Sequence, residues 1–111
     1  MATHEKKRFA ERVDYISSPG YLEGGAARER YGFVGGGPCA IVTTLGILRP
    51  DPQSKEFLLD GWFAFSSPEQ IRQHTGWDLR IAAHAATVPE PSETELAALR
   101  KVDVTGMLRR E

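Results

Sequence analysis

The sequence predicts a small α/β domain built on a mixed sheet, and three features point to it. "CAIVTTLGIL" (39–48) is rich in β-branched residues and apolar on both faces, the pattern of a strand covered on both sides. "EFLLDGWFAF" (56–65) is a second such run. The two are separated by "RPDPQSK", whose prolines and Asp51 mark a turn, so they are expected to pair as an antiparallel hairpin. Two further segments, 67–75 and 92–102, carry the chemistry of helix starts.

Taken in order, "THEKKRFAER" can open with a helical turn capped by Thr3, with Phe9 and Val13 on one face. "RVDYIS" (12–17) alternates and is expected as a short strand, ended by Ser18, Pro19 and Gly20. Residues 18–38 have no sustained period. Between Tyr15 and Pro38 lie seven glycines and two prolines, with one helical turn possible at 26–31. A loop of this length in a small domain is commonly either functional or mobile. After the hairpin, Ser67 stands at the N-cap, Pro68 at the first helical position and Gln70 at the third, and Gly76 is expected to stop the helix. "WDLRIAA" predicts a last strand over 77–82. "TVPEPS" is an extended connector, because each proline pushes its predecessor out of the helical region. Ser92 and Glu95 form a second capping box, and Leu96, Leu99 and Val102 give the last helix one apolar stripe. The tail 105–111 is expected to fray.

Composition narrows the function. The 111 residues are enough for one domain, and 41% are apolar, the share of a folded chain rather than a disordered one. The net charge of −1 argues against a nucleic-acid binder, which normally carries a basic excess. Cys39 is the only cysteine, so no internal disulfide can form, which fits a reducing cytoplasm. No apolar run reaches the roughly twenty residues of a membrane helix, and the polar start lacks the apolar stretch of a secretory signal. The default location is cytoplasmic. Large apolar residues concentrate in the hairpin, and two short helices cover it in part. A partner surface is therefore expected.

No residue pattern specifies an active site. Gly35, Gly36 and Gly37 are the candidate ligand-binding residues, because successive glycine N–H groups can point at one anion. They lead into Pro38 and a strand rather than a helix, and no Gly-Lys-Ser/Thr follows, so a turn is the competing reading. Cys39 opens an apolar strand, where an inert packed thiol is the usual case. His4, His74 and His84 are far apart and show no metal-site spacing. His74 in the last turn of a helix suits the negative end of the dipole. His84 has no evident partner. Ser17 and Ser18 lie outside a Gly-X-Ser-X-Gly elbow. Asp60 and Asp78 have no paired carboxylate nearby and read as turn or surface residues. Trp62, Phe63 and Phe65 read as core.

"GGGPCAIVTTLGILRPD" followed by "FLLDGWFAFSSPEQIRQHTGWDL" resembles the C-terminal part of the β subunit of class I coenzyme A transferases. That family has a Thr-Asp-Leu-X-Val-Phe strand, a second strand, a Thr-X-Glu-Glu-Val helix and a Thr-Gly-Phe-like stop. The counterparts here are the run from Thr43 to Leu48, the run from Ser67 to Ile71, and Thr75-Gly76-Trp77. "HEKKRFAERVDYISSPGYLEGG" and "VPEPSETELAALRKVDVTGML" resemble the glutaconate-type branch. Thr44 stands where the family often has aspartate. The resemblance implies transfer of CoA between an acyl-CoA thioester and a carboxylic acid, with no tightly bound cofactor. It also implies an α-subunit partner or a homo-oligomer. The family's glutamate nucleophile belongs to the N-terminal half of the subunit, to which no segment here corresponds. No catalytic residue is therefore assigned, and the chain alone is expected to be inactive. Two alternatives stand beside this. One is a self-associating, non-enzymatic interaction module. The other is part of a hydrolase that cleaves a carbon–carbon bond in a cyclic CoA thioester.

Overall fold

The computed structural model describes residues 1–107. Its frame is a mixed four-stranded sheet, β1 (Ile41–Val42), β2 (Gly46–Pro50), β3 (Phe57–Trp62) and β4 (Ile81–Thr87), in that spatial order. The first three strands form an antiparallel meander, and β4 runs parallel to β3. Three helices accompany the sheet: α1 (Ala27–Arg30), α2 (Pro68–Gln73) and α3 (Glu93–Val102).

The hairpin expected from 39–48 and 56–65 is β2 paired with β3, and the first of those runs is two strands rather than one. The break falls at Thr43. Its fully buried hydroxyl accepts from the Leu45 and Gly46 N–H groups and donates to the Gly46 carbonyl, folding the chain back on itself. Threonine has strand propensity, but a side chain that satisfies three backbone groups locally competes with the ladder. Gly46 opens β2 in a close approach to β3. A Cβ there would lie 2.4 Å from the Gly61 carbonyl oxygen.

Leu48 and Leu59 face each other across β2 and β3, both without solvent exposure. Ile71 from α2, Leu79 and Phe9 close over them, with Trp62, Trp77 and Ile41 at the margin. This core lies on one face of the sheet. Burial of each aliphatic side chain contributes about 1.5–3 kcal/mol, so these few residues dominate the stability.

The stretch before the sheet is anchored to it. The Ala2 N–H donates to the Val42 carbonyl and the Thr44 N–H to the Ala2 carbonyl. The Arg8 and Phe9 N–H groups both donate to the Glu5 carbonyl, giving the expected turn, and Phe9 is 8% exposed. Val13 does not join it and is 62% exposed. The predicted strand at 12–17 does not form, because its alternating residues meet no neighbouring ladder. Tyr15 and Ile16 are exposed as well.

The glycine-rich stretch is an organised lobe. It carries α1 where one helical turn was expected. The Tyr21 hydroxyl donates to the Pro38 carbonyl, and Arg28 donates to the Gly20 carbonyl while its guanidinium lies over the Phe33 ring. The lobe sits on the turn between β2 and β3, where the Gly25 N–H donates to the Ser54 carbonyl. Gly24 has φ +91° and passes so close to Ser54 that a Cβ would be 2.5 Å from its carbonyl oxygen. Asp51 organises that turn by accepting from the Gln53 and Ser54 N–H groups and the Ser54 hydroxyl. These bonds hold its carboxyl below the usual carboxylate range.

α2 starts as expected, with the Ser67 hydroxyl accepting from the Gln70 N–H. It ends before Gly76, with His74 as its C-cap. Gly76 serves instead as a contact, its N–H donating to the Phe9 carbonyl at 2.6 Å. The last strand runs over Ile81–Thr87, later than the predicted 77–82. Arg72 holds the stretch before it, donating to the Leu79 carbonyl. α3 carries the full Ser92–Glu95 capping box, but none of its residues is buried, and Leu99 and Val102 lie open. The fraying expected for 105–111 falls, for its last four residues, outside the described residues. Phe65, expected in the core, is 76% exposed and stacks on Phe63.

The fold is loose for its size. Its radius of gyration is 16.1 Å, against about 13 Å for a compact domain of this length. Its accessible surface is 8288 Å², about a third more than the roughly 6,100 Å² of a compact monomer of the same mass.

Candidate functional site

On the sheet face opposite the core, one polar side chain from each of three strands meets at Asp60. Side chains alternate along β3, so Leu59 points into the core and Asp60 away from it. Arg49 approaches from β2, its Nε donating to Asp60 Oδ2 at 3.2 Å. Its Nη1 also donates to the Cys39 carbonyl at 3.4 Å. His84 approaches from β4, its Nε2 2.6 Å from Asp60 Oδ1. The approach depends on an irregularity. Leu59 pairs with Ile81 but Gly61 pairs with Ala86, so β4 gains extra residues against β3 and carries His84 over Asp60. Pro50, Asp51, Pro52, Leu58, Ala82 and Ala83 complete a groove of about 410 Å³.

Both Asp60 oxygens are occupied. The carboxylate can only accept, so Nε2 of His84 carries the proton in this contact. An aspartate behind a histidine is the orienting half of a proton-transfer site. Among the described residues, however, no serine or cysteine is bonded to His84. Its side chain is 76% exposed, and pairs as open as these contribute about 0–1 kcal/mol. The arrangement orders a polar surface and does not amount to a catalytic set.

A second histidine is buried. His4 is 4% exposed, stacks on Phe9 at 4.1 Å and lies between Thr43 Oγ1 at 3.0 Å from Nδ1 and Thr75 Oγ1 at 2.9 Å from Nε2. Its own N–H donates to Thr44 Oγ1, so Thr44 works here as a clamp on the preceding segment. Burial, helped by the nearby His74, pulls the His4 pKa down. A neutral ring must accept at one nitrogen, so one threonine hydroxyl turns its proton from a carbonyl toward the ring. The unfolded chain takes up a proton near pH 6.5 that the folded chain resists. Stability therefore holds above that pH and falls as pH drops from about 6.5 toward the lower folded value. Urea midpoints at pH 7.5 and 5.5 are expected to differ more for the wild type than for His4→Gln. Equal differences would remove His4 as the cause.

The remaining candidates are dispersed. Gly35, Gly36 and Gly37 are exposed on the lobe, and none lines the groove. Cys39, expected to be packed, is exposed ahead of β1. His74 Nδ1 donates to the Gln70 carbonyl at the end of α2, in keeping with a capping role. Asp78 pairs with Arg72 in the open, and Ser17 and Ser18 lie in an exposed loop. Among the described residues, no cluster of three His, Cys, Asp or Glu side chains could hold a metal. No helix there is long and apolar enough to cross a membrane. The Asp60–His84 contact is hidden in the sequence because its members are 24 positions apart. The one local sign is a carboxylate interrupting an apolar strand.

No protein-family model matches the sequence. Its fold matches part of a coenzyme A transferase, and its sequence is similar to part of the B subunits of two such enzymes. It is 40% identical over 98 residues to the B subunit of glutaconate CoA-transferase from Acidaminococcus fermentans, covering 86% of this chain and 37% of that one. It is 36% identical over 97 residues to the B subunit of 3-oxoadipate CoA-transferase from Pseudomonas knackmussii, covering 87% of this chain and 37% of that one. The crystal structure of the Acidaminococcus fermentans glutaconate coenzyme A-transferase superposes with a TM-score of 0.85 at 33% identity, over 98% of this chain and 42% of the other. The chain thus spans little more than a third of the length of these two relatives.

Proposed function

We propose that the chain forms part of the B subunit of an enzyme that moves CoA between an acyl-CoA thioester and a carboxylic acid, in an assembly with an A subunit. The observation that carries this is the 40% identity to such a polypeptide, maintained over 98 residues. The likeness in fold agrees with it.

In this reading the chain is scaffold rather than reaction centre. The carboxylate nucleophile that carries CoA comes from polypeptide outside the stretch represented here. The exposed Gly35, Gly36 and Gly37 of the lobe are where the chain would touch the CoA thioester. Coenzyme A enters as substrate and not as a resident cofactor.

The purified 111-residue chain, given an acyl-CoA donor and a carboxylate acceptor, is expected to show no CoA transfer above background. Turnover by the pure chain would overturn its assignment as scaffold. The surplus accessible surface also favours a second reading, a module that self-associates without catalysing anything. Sedimentation separates the two, since that module would be a dimer at micromolar concentration.

A further inference from the structure

We propose that His4 is an acid-sensitive latch: protonation of its ring frees the leading segment, residues 1–10, from the sheet while the pairing of β2 with β3 stays closed. This goes beyond the proposed function and does not depend on it.

The hydrogen bonds around the ring fix its tautomer. A hydroxyl oxygen carries one proton and two lone pairs. Both lone pairs of Thr43 Oγ1 are taken by backbone, by the Leu45 N–H at 3.1 Å and the Gly46 N–H at 3.0 Å. Its proton has two acceptors in reach, the Gly46 carbonyl and His4 Nδ1, each at 3.0 Å. The Gly46 carbonyl also receives the Thr43 N–H at 2.9 Å, so it is satisfied without the hydroxyl. Thr43 therefore donates to Nδ1, and the ring proton sits on Nε2. From there it is donated to Thr75 Oγ1 at 2.9 Å, while the Thr75 hydroxyl donates to the Ile71 carbonyl at 2.7 Å. A neutral ring thus satisfies every member of this buried chain.

A second ring proton has no place in it. On Nδ1 it would point at an oxygen that already accepts two backbone N–H groups. Either a bond of the Thr43 turn breaks or the ring leaves. The charged groups around it offer no relief. His74, at the end of α2, opposes a second charge. Arg72 of α2 is turned to the Leu79 carbonyl and Asp78. Glu5, next to His4 in the chain, is held by Arg8 and Lys7. The turn from Thr43 to Leu45 contains no ionisable side chain. Water solvates the charged ring better than this pocket does.

The segment can leave as a unit. Ala2 exchanges two backbone bonds with Val42 and Thr44, His4 donates its own N–H to Thr44 Oγ1, and Phe9 accepts from the Gly76 N–H. The ring of Phe9 stacks on that of His4, so the two leave together. The β2–β3 ladder does not use these bonds. Small cooperative units of this kind open below the cost of global unfolding.

The test is made on the full chain. Nitrogen-15 NMR of the ring at pH 7.5 should show the proton on Nε2, and a proton on Nδ1 would overturn the proposal without any variant. Hydrogen exchange then compares the Thr44, Gly46 and Gly76 amides with that of Leu59, which donates to the Arg80 carbonyl. The three should be at least ~10-fold less protected than Leu59, as local opening requires. The opened ring takes up a proton near pH 6.5. The protection factors of the three amides should therefore fall ~3- to 10-fold from pH 7.5 to 5.5. In His4→Gln, whose amide accepts from Thr43 and donates to Thr75 without titrating, the fall should be below ~2-fold. His74→Gln should keep the wild-type dependence. Equal protection of all four amides would mean that the chain opens only as a whole, and would overturn the latch. So would protection independent of pH in the wild type, a dependence retained in His4→Gln, or one lost in His74→Gln.

Discussion

Leu59→Ala is expected to remove most of the chain's resistance to urea. Leu59 has no solvent exposure, stands opposite Leu48 and shares its core with Ile71, Leu79 and Phe9. Truncating such a leucine costs about 2–5 kcal/mol through lost burial and the cavity left behind. A domain of this length has roughly 5–15 kcal/mol in total, and one with a core of five buried side chains belongs at the low end of that range. The midpoint should fall sharply, or the cooperative transition should vanish. Leu99→Ala on the open side of α3 serves as the control and should shift stability by less than about 0.5 kcal/mol. Equal effects from the two substitutions would contradict the one-sided core.

Gly46→Ala should be comparably damaging by the opposite route. Here a single added methyl group has nowhere to go. It would lie 2.4 Å from the Gly61 carbonyl oxygen, 3.1 Å from Ile71 Cδ1 and 3.2 Å from Trp62 Cα. The end of the Ile71 side chain can yield, but the other two atoms are backbone in the neighbouring strand. Relief requires β2 and β3 to separate at the end where Thr43 closes the preceding turn. Overpacking costs about 1–3 kcal/mol where side chains can adjust and more where a ladder must open. Thermal melting measures the loss, and hydrogen exchange should show it centred on the pairing of Gly46 with Trp62. A 1 kcal/mol loss lowers the melting temperature of a domain this size by about 4–8 °C. A variant melting together with the wild type would mean that the two backbones do not approach so closely.

What the sequence made legible follows from how local each signal is. The two capped helices were readable because Ser67 and Ser92 bond to groups three residues away. The β2–β3 hairpin was readable because its apolar runs are continuous and prolines stand at the end of β2 and in the turn that follows. The break at Thr43 was not, since threonine, isoleucine and valine read as strand whether or not the chain turns among them. β4 was placed too early because its alanines carry little strand signal. The alternation in 12–17 describes a surface without a partner in the fold. Asp60 and His84 needed the irregular pairing of β4 before they could meet. The resemblance to coenzyme A transferases was visible through the order of several motifs, even though no single residue disclosed chemistry.

The clamp on His4 has a consequence for biosynthesis. Its ring is held by Thr43 and by Thr75, the second of these 71 positions further along the chain. At about 5–20 residues per second, translation takes several seconds to deliver that second threonine. Until then the bonds of His4 to Thr75 and of Phe9 to Gly76 cannot form, and this segment stays incompletely packed. Nascent-chain handling, as much as the finished fold, therefore bears on whether this polypeptide reaches its native state.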